Sequence, residues 1–316
     1  MLAIGVDVGG TSVRAGVVDE QGGVIDSACV ATPGAEDALE DAITTVVDEL
    51  RRRHTVEAVG LAVAGFVRPD RRSVLFAPHL PWRAAPVADR MSARLGVPVT
   101  LEHDANAAAV GEHRFGAARG ANVALLLALG TGIGAGLLLG GEVFRGAHGV
   151  APELGHIRVV PNGRPCPCGR HGCWERYCSG TALAATAIEL LARWPARPST
   201  LRQEVADPAA MTGLRVARAA REGDAVAREA LADLARWLGE GLALIADVYD
   251  PEIVVLAGGV AESSPLFADE AREHYARVVT GAGHRPLARI RTSQLSDATA
   301  IVGAATLAVE RMARQA

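Results

Sequence analysis

Leu2-Ala3-Ile4-Gly5-Val6-Asp7-Val8-Gly9-Gly10-Thr11-Ser12-Val13-Arg14-Ala15-Gly16-Val17-Val18 is the stretch that decides the fold. An apolar, β-branched run over 2–8 meets Gly9-Gly10-Thr11, and a second run covers 13–18. That pattern predicts strand, glycine turn, strand. The same unit recurs at 123–139. Val-Ala-Leu-Leu-Leu-Ala-Leu fills 123–129, Gly130-Thr131-Gly132-Ile133-Gly134 follows, and Ala135 to Leu139 completes it. Two copies predict an internal duplication: two related α/β halves with a cleft between them.

The intervening pattern is also α/β. Helical periodicity runs over 35–53, 84–95 and 105–115, with strands at 58–63, ending at Gly65, and at 97–101. Residues 145–180 are irregular and rich in Gly, Pro, His and Cys. Helices follow at about 181–194, 208–221 and 224–249. A strand at 253–257 then ends at Gly258-Gly259, and a last helix covers 298–314. Hinges near 116 and 298 divide the chain into an N-terminal α/β domain, 1–115 plus 299–316, and a C-terminal α/β domain, 116–298.

The chain of 316 residues is 49% apolar, enough for a sizeable core. No unbroken apolar run reaches the ~20 residues of a membrane helix. No basic segment precedes the first apolar run, which reads as a strand rather than a signal peptide; the expected location is the cytoplasm. A net charge of -4 argues against a nucleic-acid partner. All 32 basic residues are arginine, and there is no lysine. A Walker A loop, a protein-kinase lysine and Schiff-base chemistry are therefore excluded. A nucleotide here must be held by backbone amides, metal and arginine.

Glycine turns let backbone N–H groups converge on phosphate. Asp7-x-Gly9-Gly10-Thr11 adds a carboxylate that can hold water on Mg²⁺ and a hydroxyl that can reach a phosphate. Gly130-Thr131-Gly132-x-Gly134 repeats the device. The plain alternative is a pair of hairpin turns with glycine at positive φ; the pairing, with Gly258-Gly259 after a buried strand, favours phosphate. Asp104 lies in Leu101-Glu102-His103-Asp104-Ala105, at a strand end and helix start. It can serve as an N-cap, or as the acceptor of a proton from an attacking hydroxyl, since ligands sit at the carboxyl ends of strands in open sheets. His103 is the neighbouring candidate base.

His156, Cys166, Cys168 and Cys173 suit tetrahedral Zn²⁺ in a closed, structural site. His171 competes with His156 as fourth ligand, and Cys178 is an alternative ligand. Cys29 and Cys178 are otherwise expected to be small buried residues. Glu153 and Glu175 flank the cluster and are either surface acids or acceptors of hydrogen bonds from the hydroxyls of a ligand. A metal-bound His156 can touch a ligand with its second nitrogen.

These motifs resemble the actin-like sugar kinase superfamily, in which the last glycine pair lies against the adenosine. Within it the chain is identified as a member of the ROK family of repressors, open reading frames and kinases, and it is most similar to the actinobacterial glucokinases. The similarity rests on Asp7-x-Gly-Gly-Thr11, Glu102 to Glu112, Gly130 to Gly134, Glu153-x-x-His156, Cys166-x-Cys-Gly-x-x-Gly-Cys173-x-Glu175 and Gly258-Gly259. It implies a duplicated actin-like ATPase (ribonuclease H-like) fold. It implies Asp104 as catalytic base and Glu153, His156 and Glu175 on sugar hydroxyls, with Gly65 approaching the sugar through its backbone. ATP with Mg²⁺ would be the donor, a sugar 6-phosphate the product, and the assembly a homodimer or homotetramer. Two positions depart from the family. His103 and His79 stand where asparagines usually contact the sugar, and a neutral imidazole offers one donor or one acceptor where asparagine offers both. Pro152 also replaces a usual glycine. Another hexose or an N-acetylhexosamine is therefore an alternative substrate, and a non-catalytic sugar sensor an alternative role. A repressor of this family would carry a helix-turn-helix before the first strand, which here begins at Leu2.

Overall fold

The computed structural model describes residues 1–207 and 209–314. Pro208, in the expected helix 208–221, and Gln315 and Ala316, in the expected segment 299–316, lie outside the described residues. The chain begins β1 (Ala3–Val8), β2 (Ser12–Val18), β3 (Val24–Ala31), α1 (Glu36–Arg51) and β4 (Ala58–Val63). Next come β5 (Phe66–Val67), β6 (Val74–Phe76), β7 (Arg83–Ala85), α2 (Val87–Leu95), β8 (Val99–His103) and α3 (Asp104–Phe115). Then follow β9 (Val123–Leu129), β10 (Ile133–Leu139), β11 (Glu142–Val143), α4 (Gly180–Arg193), α5 (Gly213–Arg221) and α6 (Ala225–Tyr249). The last elements are β12 (Ile253–Ala257), α7 (Ala268–Val278), β13 (Arg289–Thr292) and α8 (Thr299–Ala313).

The first sheet has the order β3-β2-β1-β4-β8 and the second β11-β10-β9-β12-β13. In each, a meander of three strands is extended by two later strands. β1 pairs antiparallel with β2 and parallel with β4, and β12 pairs parallel with β13. The repeated strand order is the duplication that the two glycine hairpins predict. β4 is buried along its whole length, as a strand covered on both faces must be.

The chain divides into two compact units. Unit 1 comprises Met1–Leu126, Gly136–Pro152 and the stretch from Ser293 onward; unit 2 comprises Leu127–Ala135 and Glu153–Thr292. The sequence-based boundaries at 116 and 298 differ from this division, and Glu112 holds both of those positions within unit 1. Its fully buried carboxylate accepts the Ala117 N–H at 2.7 Å. It also accepts the Ser293 hydroxyl at 2.6 Å and the N–H groups of Gln294 and Leu295, each at 3.0 Å. Both expected hinges are thus tied to α3, inside unit 1.

Helix α8 lies directly on the first sheet. A Cβ on Gly5 would stand 1.8 Å from the Ile301 carbonyl oxygen, and one on Gly60 would stand 1.9 Å from that of Ala304. Only glycine permits this approach. The same helix meets α3 where a Gly303 Cβ would lie 1.7 Å from the Ala107 oxygen. The close contacts lock α3, and with it Asp104, to the sheet. The expected helix 208–221 is shorter than its pattern. Thr212 caps α5 through the Arg215 N–H, so the helix begins only at Gly213.

Candidate active site

In unit 1 the first turn and the end of β8 lie at the same, carboxyl end of the first sheet, since β1 and β8 both run parallel to β4. Asp7, at the end of β1, accepts Arg14 Nη2 at 2.5 Å across the hairpin. Burial pushes the Asp7 carboxyl above its ordinary value; Arg14 opposes this, and the charge of Asp104 adds to the rise. Two carboxylates that repel each other in a partly buried place fit a divalent cation, whose charge would relieve both.

Asp104 is the first residue of α3, preceded by extended His103, and so is not the cap residue itself. Its Oδ1 accepts the Ala105 N–H at 2.7 Å and lies 3.2 Å from His103 Nε2. The carboxylate remains partly exposed, free to receive a proton from a ligand. Behind it, Glu102 is buried. Its Oε1 accepts the His103 N–H and Asn106 Nδ2, each at 3.1 Å. Its Oε2 accepts Arg145 Nη2 at 2.6 Å and Nε at 3.0 Å. This support is missed in the sequence, where Arg145 stands far from Glu102.

His79 is exposed and lies across the first turn: a Cβ on Gly10 would stand 2.9 Å from the His79 Cβ. Arg83 fixes the His79 loop by donating Nη1 to the carbonyls of Ala77, Leu80 and Trp82, each at 2.7 Å. Gly65 makes room for the same segment, since its Cβ would meet the Ala77 Cβ and the Phe76 oxygen at 2.7 Å. Arg83 carries no sequence signal beyond its being an arginine after Trp82.

In unit 2 the turn 130–134 is braced by the start of α4. Gly180 N–H donates to the Gly130 carbonyl at 2.8 Å, and Thr181 Oγ1 donates to that of Thr131 at 2.7 Å. The helix N-terminus, capped by Ser179, adds a positive dipole end beside this glycine turn, an arrangement that suits an anion. Gly9, Gly10, Gly130, Gly132 and Gly134 do not adopt the left-handed region, unlike Gly258 (φ 83°). The plain reading of left-handed hairpin glycines therefore fails at both turns. A Cβ on Gly132 would stand 2.4 Å from Glu175 Oε2, so a side chain there would displace the end of that carboxylate. Beside the turn a cavity of about 610 Å³ is lined by Leu183, Ala184, Ile188, Met211, Leu214 and Gly259. Its apolar walls next to the glycine turn suit a nucleoside. The sequence pointed to Gly258-Gly259 but not to the α4 and α5 walls.

His156, Cys166, Cys168 and Cys173 present ligand atoms that all lie within 4.8 Å of one another. Cys168 and Cys173 sulfurs are 3.6 Å apart, and Cys166 Sγ is 3.7 Å from His156 Nδ1. Those spacings match adjacent ligands at ~2.3 Å from one tetrahedral zinc. The residues therefore fit the ion. Burial works to raise the Cys168 thiol, but the Arg170 N–H and neighbouring groups outweigh it and bring it down to about 6; a thiolate is the form a metal takes. His171 is exposed and outside the group, as is buried Cys178. Cys29, expected to be buried, is exposed because β3 is an edge strand alternating between exposed and half-buried positions. His156 Nδ1 faces Glu175 Oε1 at 3.8 Å and Nε2 faces Glu153 Oε2 at 3.9 Å. Cys166 also donates to Glu175 Oε1 at 3.0 Å. The two glutamates thus bracket one imidazole beside the cluster.

The ROK family model matches residues 3–311. A glucokinase of Streptomyces coelicolor is 42% identical over 98% of this chain and 98% of its own. The crystal structure of a ROK family glucokinase from Streptomyces griseus, in complex with glucose and AMPPNP, superposes with a TM-score of 0.88 at 43% identity, covering 98% of this chain and 100% of that one. A ROK hexokinase from Thermus thermophilus gives 0.82 at 32%, covering 99% and 100%. With the duplicated sheets, the glycine turns and the Cys/His cluster in place, the chain belongs to the ROK family and has its two-domain, actin-like fold.

Proposed function

We propose that this chain is an ATP-dependent glucokinase that phosphorylates the 6-hydroxyl of glucose. The observation that carries the reading is Asp104, held at the carboxyl end of β8 by the Ala105 N–H and His103 with its carboxylate partly exposed, in a chain 43% identical to a glucokinase solved with glucose and AMPPNP. Asp104 accepts the proton as the hydroxyl oxygen bonds to the γ-phosphorus and the bond to the β-phosphate bridge oxygen breaks. Asp7, Gly9, Gly10 and Thr11 hold the phosphates, as do Gly130, Thr131, Gly132 and Gly134. The adenosine takes the apolar cavity at Gly258-Gly259. Mg²⁺, near Asp7, would neutralise phosphate charge. Gly65, His79, His103, Glu153, His156 and Glu175 recognise the sugar, and His156, Cys166, Cys168 and Cys173 hold a structural Zn²⁺ that fixes Glu175 and His156. The enzyme acts in the cytoplasm as a homodimer or homotetramer; no helix among the described residues is long and apolar enough to cross a membrane.

A second reading follows from His79 beside Gly10 and His103 bonded to Asp104: the preferred sugar is another hexose or an N-acetylhexosamine. ADP release from ATP, measured with glucose, mannose, fructose, N-acetylglucosamine and N-acetylmannosamine, decides. The highest kcat/KM is expected with glucose. A higher value with another sugar replaces the first reading by the second, and turnover of none overturns both.

A further inference from the structure

We infer that an arginine-lined cavity within unit 1, about 340 Å³ in volume, is a binding site for a small phosphate-bearing anion, separate from the sugar and nucleotide sites. Its size is in the range of small-molecule sites. It shares no residue with the glycine turns, Gly65, His79, His103 or Asp104. Five arginines line it: Arg71, Arg114, Arg145, Arg311 and Arg314.

The pairing of these guanidinium groups leaves a surplus of positive charge. Arg114 is matched by Glu310 at 3.0 Å and Arg314 by Glu142 at 3.1 Å. Arg71 and Arg145 share the single carboxylate of Glu102, which lies 2.6 Å from Arg145 but 3.6 Å from Arg71. Arg311 donates to the Asp70 main-chain carbonyl at 3.1 Å and has no carboxylate partner among the described residues. The Asp70 carboxylate is paired at 3.6 Å with Arg68. Arg71 and Arg311 are thus the two under-compensated cations.

Arg71 is placed there against its backbone preference, with φ at 57° in the left-handed region. Its N–H bonds the Arg68 carbonyl at 2.8 Å and its carbonyl accepts the Leu101 N–H at 3.3 Å, which fixes the strained turn. Burial lowers the Arg71 guanidinium to about 10; Glu102 opposes this, and the charges of Arg145, Arg311 and Arg314 add to the lowering. A dianion among these groups would relieve that repulsion. Guanidinium forks match phosphate oxygens in pairs, so a phosphate group is the chemistry recognised. Inorganic phosphate and the phosphate of a sugar ester are its two possible sources.

The test is calorimetric titration of the full-length, metal-loaded protein with inorganic phosphate and, separately, glucose 6-phosphate, with sodium chloride as control. Saturating AMPPNP and Mg²⁺ keep the nucleotide phosphate positions filled. Saturable binding of at least one anion is expected, weakened about tenfold or more, or about 1.4 kcal/mol, by Arg311→Ala. Arg71→Gly, which suits the positive φ, is expected to weaken it likewise while melting as a folded protein. Binding of both anions assigns the site to phosphate itself; binding of glucose 6-phosphate alone assigns it to a sugar ester. No saturable binding to the wild type, or binding unchanged in both variants, overturns the inference. The same titrations without AMPPNP must show the same difference between wild type and variants, so the result does not depend on the kinase reading.

Discussion

Replacing Glu102 by glutamine is the sharpest structural perturbation available at the site. The side chain is 3% exposed and serves four partners. Oε2 faces the guanidinium groups of Arg145 and Arg71, and Oε1 faces two donors, the His103 N–H and Asn106 Nδ2. Every partner donates, so an amide, with one acceptor and one donor end, must set its NH₂ against a donor in either orientation. Removing one member of a buried ion pair costs about 3–5 kcal/mol. The amide oxygen recovers part of this by keeping one set of contacts. Glu102→Gln is therefore expected to lower stability by about 3 kcal/mol in urea unfolding, a large share of the ~5–15 kcal/mol typical of folded domains. Hydrogen exchange at 103–108 should quicken, and kcat should fall about tenfold or more as the Asp104 turn shifts. Adding Arg145→Gln should cost less than the sum of the single changes, because the charge left unpaired by the first substitution is gone. A Glu102→Gln protein within about 0.5 kcal/mol of wild type would refute this account of the network.

The remaining expectations are these. Purified protein should contain about one zinc per chain by elemental analysis; Cys168→Ser should lose it and melt earlier, since structural zinc contributes directly to folding. Gly132→Ala should lower kcat/KM about tenfold or more in the coupled assay, because its Cβ would push the Glu175 carboxylate out of its position. Asp224 caps α6 through the Val226 and Ala227 N–H groups. Burial alone would raise its carboxyl, but hydrogen bonds from Ala227, Thr200 and Ser199 outweigh it and hold the group below its ordinary value. It therefore contributes stability above about pH 4 that is lost as pH falls through the lowered value. Asp224→Ala should cost about 1–2 kcal/mol at pH 7 by urea unfolding and less at pH 3.

The duplication was legible because each hairpin writes itself locally, as an apolar run, a glycine turn and another apolar run. β3 was not, because an edge strand shows no buried stripe; Val24–Ala31 is nowhere fully buried, and Cys29 is exposed with it. The Cys/His cluster was legible because three of its members fall between 166 and 173; spacing alone left His171 open, and the folded loop leaves it outside the cluster. The glycine turns were located correctly but for an incomplete reason. Gly10 and Gly132 serve the approach of His79 and Glu175, which no local pattern encodes. Glu102 with Arg145, and Glu112 with Ser293, are partners distant in sequence. Their charges are visible in the chain, whereas their burial depends on the packing of α8 against α3 and the first sheet.

The most direct test of the central claim is steady-state glucose phosphorylation by the wild type and by Asp104→Asn, with glucose binding measured in parallel by calorimetry. The account predicts a kcat lower by about 10²–10⁴ in the variant, with glucose affinity largely kept. A variant that turns over glucose at the wild-type rate would contradict the assignment of Asp104 as the base.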